Sequence, residues 1–426
     1  MEIKCEDMME IAINAGTIVL ENGGETYRTE ETVTNIAKSL GAKTASAFVT
    51  PTVIQFSYTD SKDHYHSAIR RITKRGTNLK KIAQINELSR RIVKRQKQSN
   101  PRQIEAILER INKTPSYSNI LVYSMAACSS FCFTFMFGGS VFEAICALII
   151  GFGIRVFLIF FEKFNLGSFF ISIFSGFLIS ILTEIAFVLH IIPTTEIVLI
   201  AVLMQVVPGL AIVNAIRDII ASDLVAGTAR LVEAFMIASA LSVGSVFGLL
   251  FFSFFGLGSN VLIIDLLTNV ALNTSFSQNK ILKILFAFIF SCGAAGFSSF
   301  YLNTNQFDII WCALIGGVGW VLYNFFGTGG AGSYFIGSFT VALLAEILAY
   351  TINNPATVYL LPGLLPLVPG GGMFKTMRAF ANGLMNDALT LGFSTMSAAG
   401  AIALGIALAS TFAKIMNIAF KRKVKY

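Results

Sequence analysis

Ten apolar runs, each about as long as a bilayer is thick, occupy this chain from residue 119 onward. A helix rises about 1.5 Å per residue, so about 20 apolar residues cross a hydrocarbon core. The runs lie at 119–139, 141–161, 167–191, 195–219, 226–255, 281–302, 308–327, 331–352, 356–380 and 385–413. No water is available at that depth, so each segment must pair its own backbone N–H and C=O groups, which a helix does. The stretch 256–280 is too polar and interrupted for a span and reads as a long loop.

Charge divides the chain into two regimes. Only 13% of its 426 residues are charged, against about 25% in soluble domains. Residues 1–115 hold 19 Lys/Arg and 13 Asp/Glu, whereas the 311 residues that follow hold 13 and 11. The expected fold class is an all-α polytopic membrane protein. Ten transmembrane helices would form two inverted five-helix repeats, with a small N-terminal α+β cytoplasmic domain attached. The expected boundaries are a domain at 1–100, an amphipathic connector at 101–118, a first five-helix repeat at 119–255, the loop 256–280, a second repeat at 281–413 and a basic tail at 414–426.

Orientation follows the Lys/Arg bias. Residues 62–113 carry 15 Lys/Arg against 4 Asp/Glu just before the first span, and the chain closes on KRKVKY. Both termini are therefore expected in the cytoplasm, across the cytoplasmic (inner) membrane. Lys280 and Lys283 fall on the far side and run against the bias. A basic run beside a first span points to anionic lipid and to topology rather than to nucleic acid. The opening MEIKCEDMMEIAIN lacks the basic start and cleavage site of a signal peptide.

The soluble part has its own periodicities. Ile11, Ala15, Ile18 and Val19 share a helical face that stops at NGG, and Val33, Ile36, Ala37 and Leu40 share another that stops at Gly41. TASAFVT (44–50) and TVIQFSY (52–58) flank Pro51 as two strands, and HYH (64–66) alternates like a strand end. Residues 78–95 read as a helix. PRQIEAILERINKTP (101–115) reads as an amphipathic helix lying on the membrane surface. Five of the six cysteines sit in apolar runs without metal or disulfide spacing. No catalytic motif, metal site or cofactor fingerprint is present, so an enzyme is not expected.

The second half repeats the first. CALIIGFG (146–153) aligns with CALIGGVG (312–319), SFFI (168–171) with SYFI (333–336), and VVPG (206–209) with LVPG (367–370). Charges repeat too: Glu143 and Asp308 each follow a Phe, and Glu184 and Glu346 precede Pro208 and Pro369 by 24 and 23 residues. Arg217 and Arg378 each stand nine residues after their proline. Five spans per copy would insert the second copy upside down, as in many secondary transporters.

The Pro-Gly pairs mark the candidate site. Proline lacks an N–H and clashes with the carbonyl four residues back, and glycine permits unusual backbone angles. Two readings are open: a discontinuous helix that lines a substrate site, or a kink that aids packing. LLPGLLPLVPGGG (360–372) can hardly be one unbroken helix. The candidate substrate-binding residues are Pro208, Gly209, Asn214, Arg217 and Asp218 in one copy and Pro369, Gly370, Lys375 and Arg378 in the other. The two arginines either hold a substrate carboxylate in a bidentate contact or snorkel to the interface. Glu184 and Glu346 either carry a coupling proton or make static pairs. Arg230 and Glu233, spaced i, i+3, read as a simple pair.

Three stretches resemble the threonine/serine exporter family: LENGGETYRTEETVTNIAKSLG (20–41), VVPGLAIVNAIRDIIASDLVAGTARLVEA (206–234) and PATVYLLPGLLPLVPGG (355–371). The resemblance covers nearly the whole chain, in the form where two halves are fused. It implies export of small polar metabolites, threonine or serine first, driven by the proton motive force. A dicarboxylate such as succinate is the alternative substrate. A membrane-anchored sensor or scaffold is the rival of another class, against which the duplicated Pro-Gly motifs count.

Overall fold

The computed structural model describes residues 5–74, 76–95, 100–164, 166–220, 223–254, 280–327 and 330–423. The expected loop 256–280 lies outside them except for Lys280. Of the tail expected at 414–426, residues up to Lys423 continue a helix.

The N-terminal part is a small α+β layer. Helices α1 (Cys5–Glu21) and α2 (Thr26–Leu40) precede strands β1 (Thr44–Thr50), β2 (Val53–Thr59) and β3 (Tyr65–Arg71), and α3 (Leu79–Arg95) and α4 (Pro101–Asn112) follow. The sheet is antiparallel in the order β1-β2-β3, with Phe56 opposite both Ala47 and Ala68. Side chains alternate across a strand. Ile54, Phe56 and Tyr58 therefore point inward while Gln55 and Ser57 face out. Phe56 and Tyr58 join Ile11, Ile18, Val33, Ile36 and Ile85 in one core. α4 departs from expectation. Its apolar face, Ile104, Leu108 and Ile111, is buried in that core against α1 and α3 rather than laid on a membrane surface.

The remainder is helical: α5 (Asn119–Met136), α6 (Val141–Glu162), α7 (Ser168–Val188), α8 (Glu196–Leu203), α9 (Gly209–Ile220), α10 (Leu224–Phe254), α11 (Lys280–Tyr301), α12 (Gln306–Phe325), α13 (Ala331–Ile352), α14 (Thr357–Leu364), α15 (Gly370–Ala381) and α16 (Met385–Lys423). Among the described residues, eight of these are long and apolar enough to cross a membrane. The chain is thus an all-α polytopic membrane protein in its larger part. Of the ten expected runs, two are not single helices. The run 356–380 is bent by 51° between α14, with its short 3-10 extension Leu365–Leu367, and α15. The run 195–219 is two short helices parted at 204–208. Both interruptions fall at the Pro-Gly pairs, where proline removes a helical donor.

Packing between helices follows a regular exchange. α5 packs on α6 as α11 packs on α12, and α7 on α10 as α13 on α16. Likewise α9 meets α16 while α10 meets α15, and α5 meets its counterpart α11. Small residues permit the closest approaches, as is usual between membrane helices. A Cβ on Gly244 would run into the Ile173 carbonyl, and in the other half a Cβ on Gly405 would sit 2.8 Å from the Phe335 carbonyl.

The N-terminal layer docks on one end of this bundle. Leu79 N–H donates to the Leu302 carbonyl at 3.1 Å, Lys80 N–H to that of Asn303 at 3.0 Å, and Arg90 to that of Asn353 at 3.1 Å. Tyr117, just before α5, donates its hydroxyl to the Thr304 carbonyl at 2.6 Å, just after α11. The start of α5 therefore lies beside the end of α11, and these two helices run in opposite directions.

Candidate functional site

The two breaks meet. α8 ends at Leu203, and Val206 and Val207 both close back on the Leu203 carbonyl at 2.8 Å. Pro208 has no N–H to continue the ladder; its carbonyl instead accepts from Ile212 at 3.2 Å, and α9 starts at Gly209. In the other half Pro369 precedes α15, whose first residue is Gly370. A Cβ on Gly370 would lie 2.9 Å from Val207 Cγ1, and one on Gly371 would lie 3.1 Å from Ile200 Cγ2. The glycines of one break thus let its backbone settle against the other. Beyond the contact, Ile212, Ala234 and Ala238 pack with Met373 and Ala399 across the two halves.

Gln205 pins the first break from behind. Its Nε2 donates to Ser130 Oγ at 2.6 Å and to the Ala126 carbonyl at 3.2 Å. Gly151 makes room for it, because a Cβ there would sit 2.7 Å from Nε2. A glutamine alone in an apolar run was the available signal, since intramembrane polar groups mark function or structure. The reading from sequence passed over it.

The charged candidates divide between the two ends of the α8–α9 pair. Arg378 on α15 is 6% exposed and faces the charges of Glu196, at the start of α8, and Glu184, in α7. Its Nε is buried without a hydrogen-bond partner among the described residues. Glu184 is itself 1% exposed. Glu184 and Arg378 come from different halves of the chain and are brought together here. Glu196 was missed in the sequence, where it looked like the edge of a span. Glu346 accepts a hydrogen bond from Ser410 of α16 at 3.0 Å. Lys375 and Asn214 are half-buried.

Arg217 stands at the other end, against the N-terminal layer. Its Nη1 is ion-paired with Glu25 Oε1, and its Nη2 donates to the Tyr27 hydroxyl at 3.3 Å. Arg28 Nε donates to the second oxygen of Glu25 at 3.0 Å. Burial opposes the charge on Glu25, but the guanidinium groups of Arg217 and Arg28 overcome it and hold the carboxyl down at about 2. Arg230 lies 3.1 Å from Asp218 and donates to the Gly24 carbonyl at 3.4 Å. Thr26 donates to Asp223 at 2.8 Å. Sequence reading noted the Gly-Gly-Glu stretch but could not pair it with a residue 192 positions away.

No metal site emerges: among the described residues no group of three or more His, Cys, Asp or Glu side chains is placed to hold an ion. His64 and His66 both approach Asp60 Oδ2, at 3.2 and 3.3 Å.

Comparison with known families matches both halves. The model described as putative threonine/serine exporter matches residues 10–252, and the one described as threonine/serine exporter, ThrE, matches residues 283–412. No curated protein and no solved structure matches the chain.

Proposed function

Since this chain belongs to the threonine/serine exporter family, we propose that it exports a small carboxylate-bearing amino acid, threonine or serine, across the cytoplasmic membrane at the expense of the proton gradient. Its class is a transporter, not an enzyme. In this reading the chain crosses ten times, with α8–α9 and α14–α15 each crossing as a broken element, and both termini lie in the cytoplasm. Two inverted repeats rock about the junction of the breaks. The antiparallel course of α5 and α11 and the paired packing of the helices support that inversion.

The observation that carries the proposal is the contact between the two breaks, where Gly370 and Gly371 abut Val207 and Ile200. Backbone released from helical pairing at membrane depth is tolerated only in protein or along a cavity. Pro208, Gly209 and Asn214 on one side, with Pro369, Gly370 and Lys375 on the other, would shape the substrate passage. Arg378, buried and with a free donor at Nε, is the group suited to a substrate carboxylate at the far end, and Arg217 with Asp218 serves the end beside the N-terminal layer. Glu184, close enough for its charge to act on Arg378, would carry the coupling proton, with Glu346 its counterpart. The basic run before α5 would rest on anionic lipid.

The test is flux into inside-out vesicles holding the full chain, with labelled threonine, serine and succinate offered separately, with and without a proton gradient. Gradient-dependent uptake of the amino acids is expected. Uptake of succinate alone would replace the substrate with a dicarboxylate, and gradient-independent uptake would remove proton coupling. Absence of flux from folded, inserted protein would count for an anchored sensor.

A further inference from the structure

A carboxylate of the chain itself already sits where a substrate carboxylate would arrive. Glu25 precedes α2 at its N-cap position, where a side chain ordinarily satisfies the helix's own free N–H groups. Here it makes no such bond. Its two oxygens are shared instead between Arg217 of α9 and Arg28 of α2. Two guanidinium groups around one carboxylate form a strong and geometrically specific anion site. The ring of Tyr27 lies beside both, 5.8 Å from the Arg217 guanidinium carbon and 5.7 Å from that of Arg28.

The local sequence builds this placement. α1 ends in Asn22-Gly23-Gly24, with Gly23 at φ +89°, a left-handed angle glycine adopts without strain. Gly24 N–H closes on the Val19 carbonyl at 2.9 Å, and a Cβ at Gly24 would crowd that same oxygen at 2.8 Å. The turn therefore delivers Glu25 to the end of α9, where the bonds of Thr26 to Asp223 and of Arg230 to Gly24 hold it.

We propose that Arg28 and Arg217 form a carboxylate-binding station at the mouth of the broken α8–α9 element, filled by Glu25 at rest and opened when a substrate's carboxylate takes its place. The proposal rests on the export reading above and adds to it the residue that occupies the station. Ionised throughout the physiological pH range, Glu25 leaves by exchange with another anion and not by taking up a proton. Its departure frees the Gly24–Arg28 stretch from the α9–α10 turn, so arrival of cargo at the layer side releases the end of α9 to move.

The test uses the full chain with Cys5 replaced, carrying Thr26→Cys and Asp223→Cys, so that a disulfide reports the docked state. Disulfide formation is followed at constant ionic strength with threonine, succinate or threonine amide, which lacks the carboxylate. Threonine or succinate should slow cross-linking about threefold or more while the amide leaves it unchanged, as a ligand selecting the undocked state must. Equal rates with all three would overturn the proposal. In the otherwise native chain, Glu25→Gln should lower the KM for export, by about tenfold if Glu25 fills the station nine-tenths of the time. An unchanged or higher KM would also overturn it. Flux with unaltered cross-linking defeats the station and leaves export standing. Slowed cross-linking without flux of any substrate defeats export and leaves the station standing.

Discussion

Arg217 and Arg378 stand nine residues after equivalent prolines, yet they keep different company. Arg378 faces two carboxylates of the membrane helices in the opposite half, Glu184 and Glu196. Arg217 is paired with Glu25, from the N-terminal layer, while Glu346, the copy of Glu184, bonds to Ser410. The matching spacing in sequence extends to the guanidinium but not to its partner. At one end the balancing charge is built into the bundle. At the other it comes from the N-terminal layer. Equivalent sequence positions can thus hold the same guanidinium while differing in what neutralises it.

The largest expected effect comes from the buried end. Arg378→Gln removes a buried guanidinium on which the charges of Glu196 and Glu184 act, in the group assigned to the substrate carboxylate, and hydrogen bonds to a charged group contribute about 1.5–3 kcal/mol. Flux should fall about 30-fold or more, measured in the same vesicles. If Arg378→Gln transported at the native rate, the two ends would not differ in the way described. Next is the junction of the breaks. Gly370→Val places methyl groups against Val207, where a bare Cβ already approaches to 2.9 Å, and overpacking of this kind costs about 1–3 kcal/mol. A lower midpoint of thermal unfolding in detergent and a slower flux are expected. Native behaviour would mean that the breaks do not work in contact.

The smallest effect is the pH response of the docked layer. The Glu25 carboxyl is held below its ordinary value of 4.5, down to about 2. A depressed acid contributes stability that is complete above its unfolded pKa and is lost as pH falls through its folded one. Docking should therefore be constant from neutral pH down to the ordinary value and weaken between there and about 2. Glu25→Gln should remove that dependence. A spin-label distance between α2 and α10, read at each pH, measures both, and weakening near neutral pH would show that another group governs docking.

Much of the fold was legible because its causes are local. The heptad-like faces ending at Gly-Gly and Gly41 locate α1 and α2, and a 22-residue apolar stretch locates α13 at Ala331–Ile352. β3 was read only as a strand end at HYH, since Tyr65 and Ile69 are exposed while His66 and Arg70 take the alternate positions, which reverses the usual apolar-in alternation. α4 was assigned to a lipid surface because an amphipathic helix looks the same whether protein or membrane covers its face. Its cover is α1, nearly a hundred residues earlier in the chain. At the site, the prolines, glycines and arginines could be found by their spacing. Glu25 and Glu196 could not be assigned, as each lies in an ordinary-looking helix start.

By itself the sequence determined that this chain enters a membrane as helices and that Pro-Gly pairs stand at 208–209 and 369–370. Hydropathy acts over a single segment, and a missing proline N–H acts over a single turn, so neither requires knowledge of the rest of the chain. Tertiary structure decided which carboxylate neutralises which guanidinium. Such a choice depends on distance in space, on burial and on the chain reversals that bring Glu25 to a residue 192 positions away, and electrostatic attraction across a few ångströms carries no record of sequence separation.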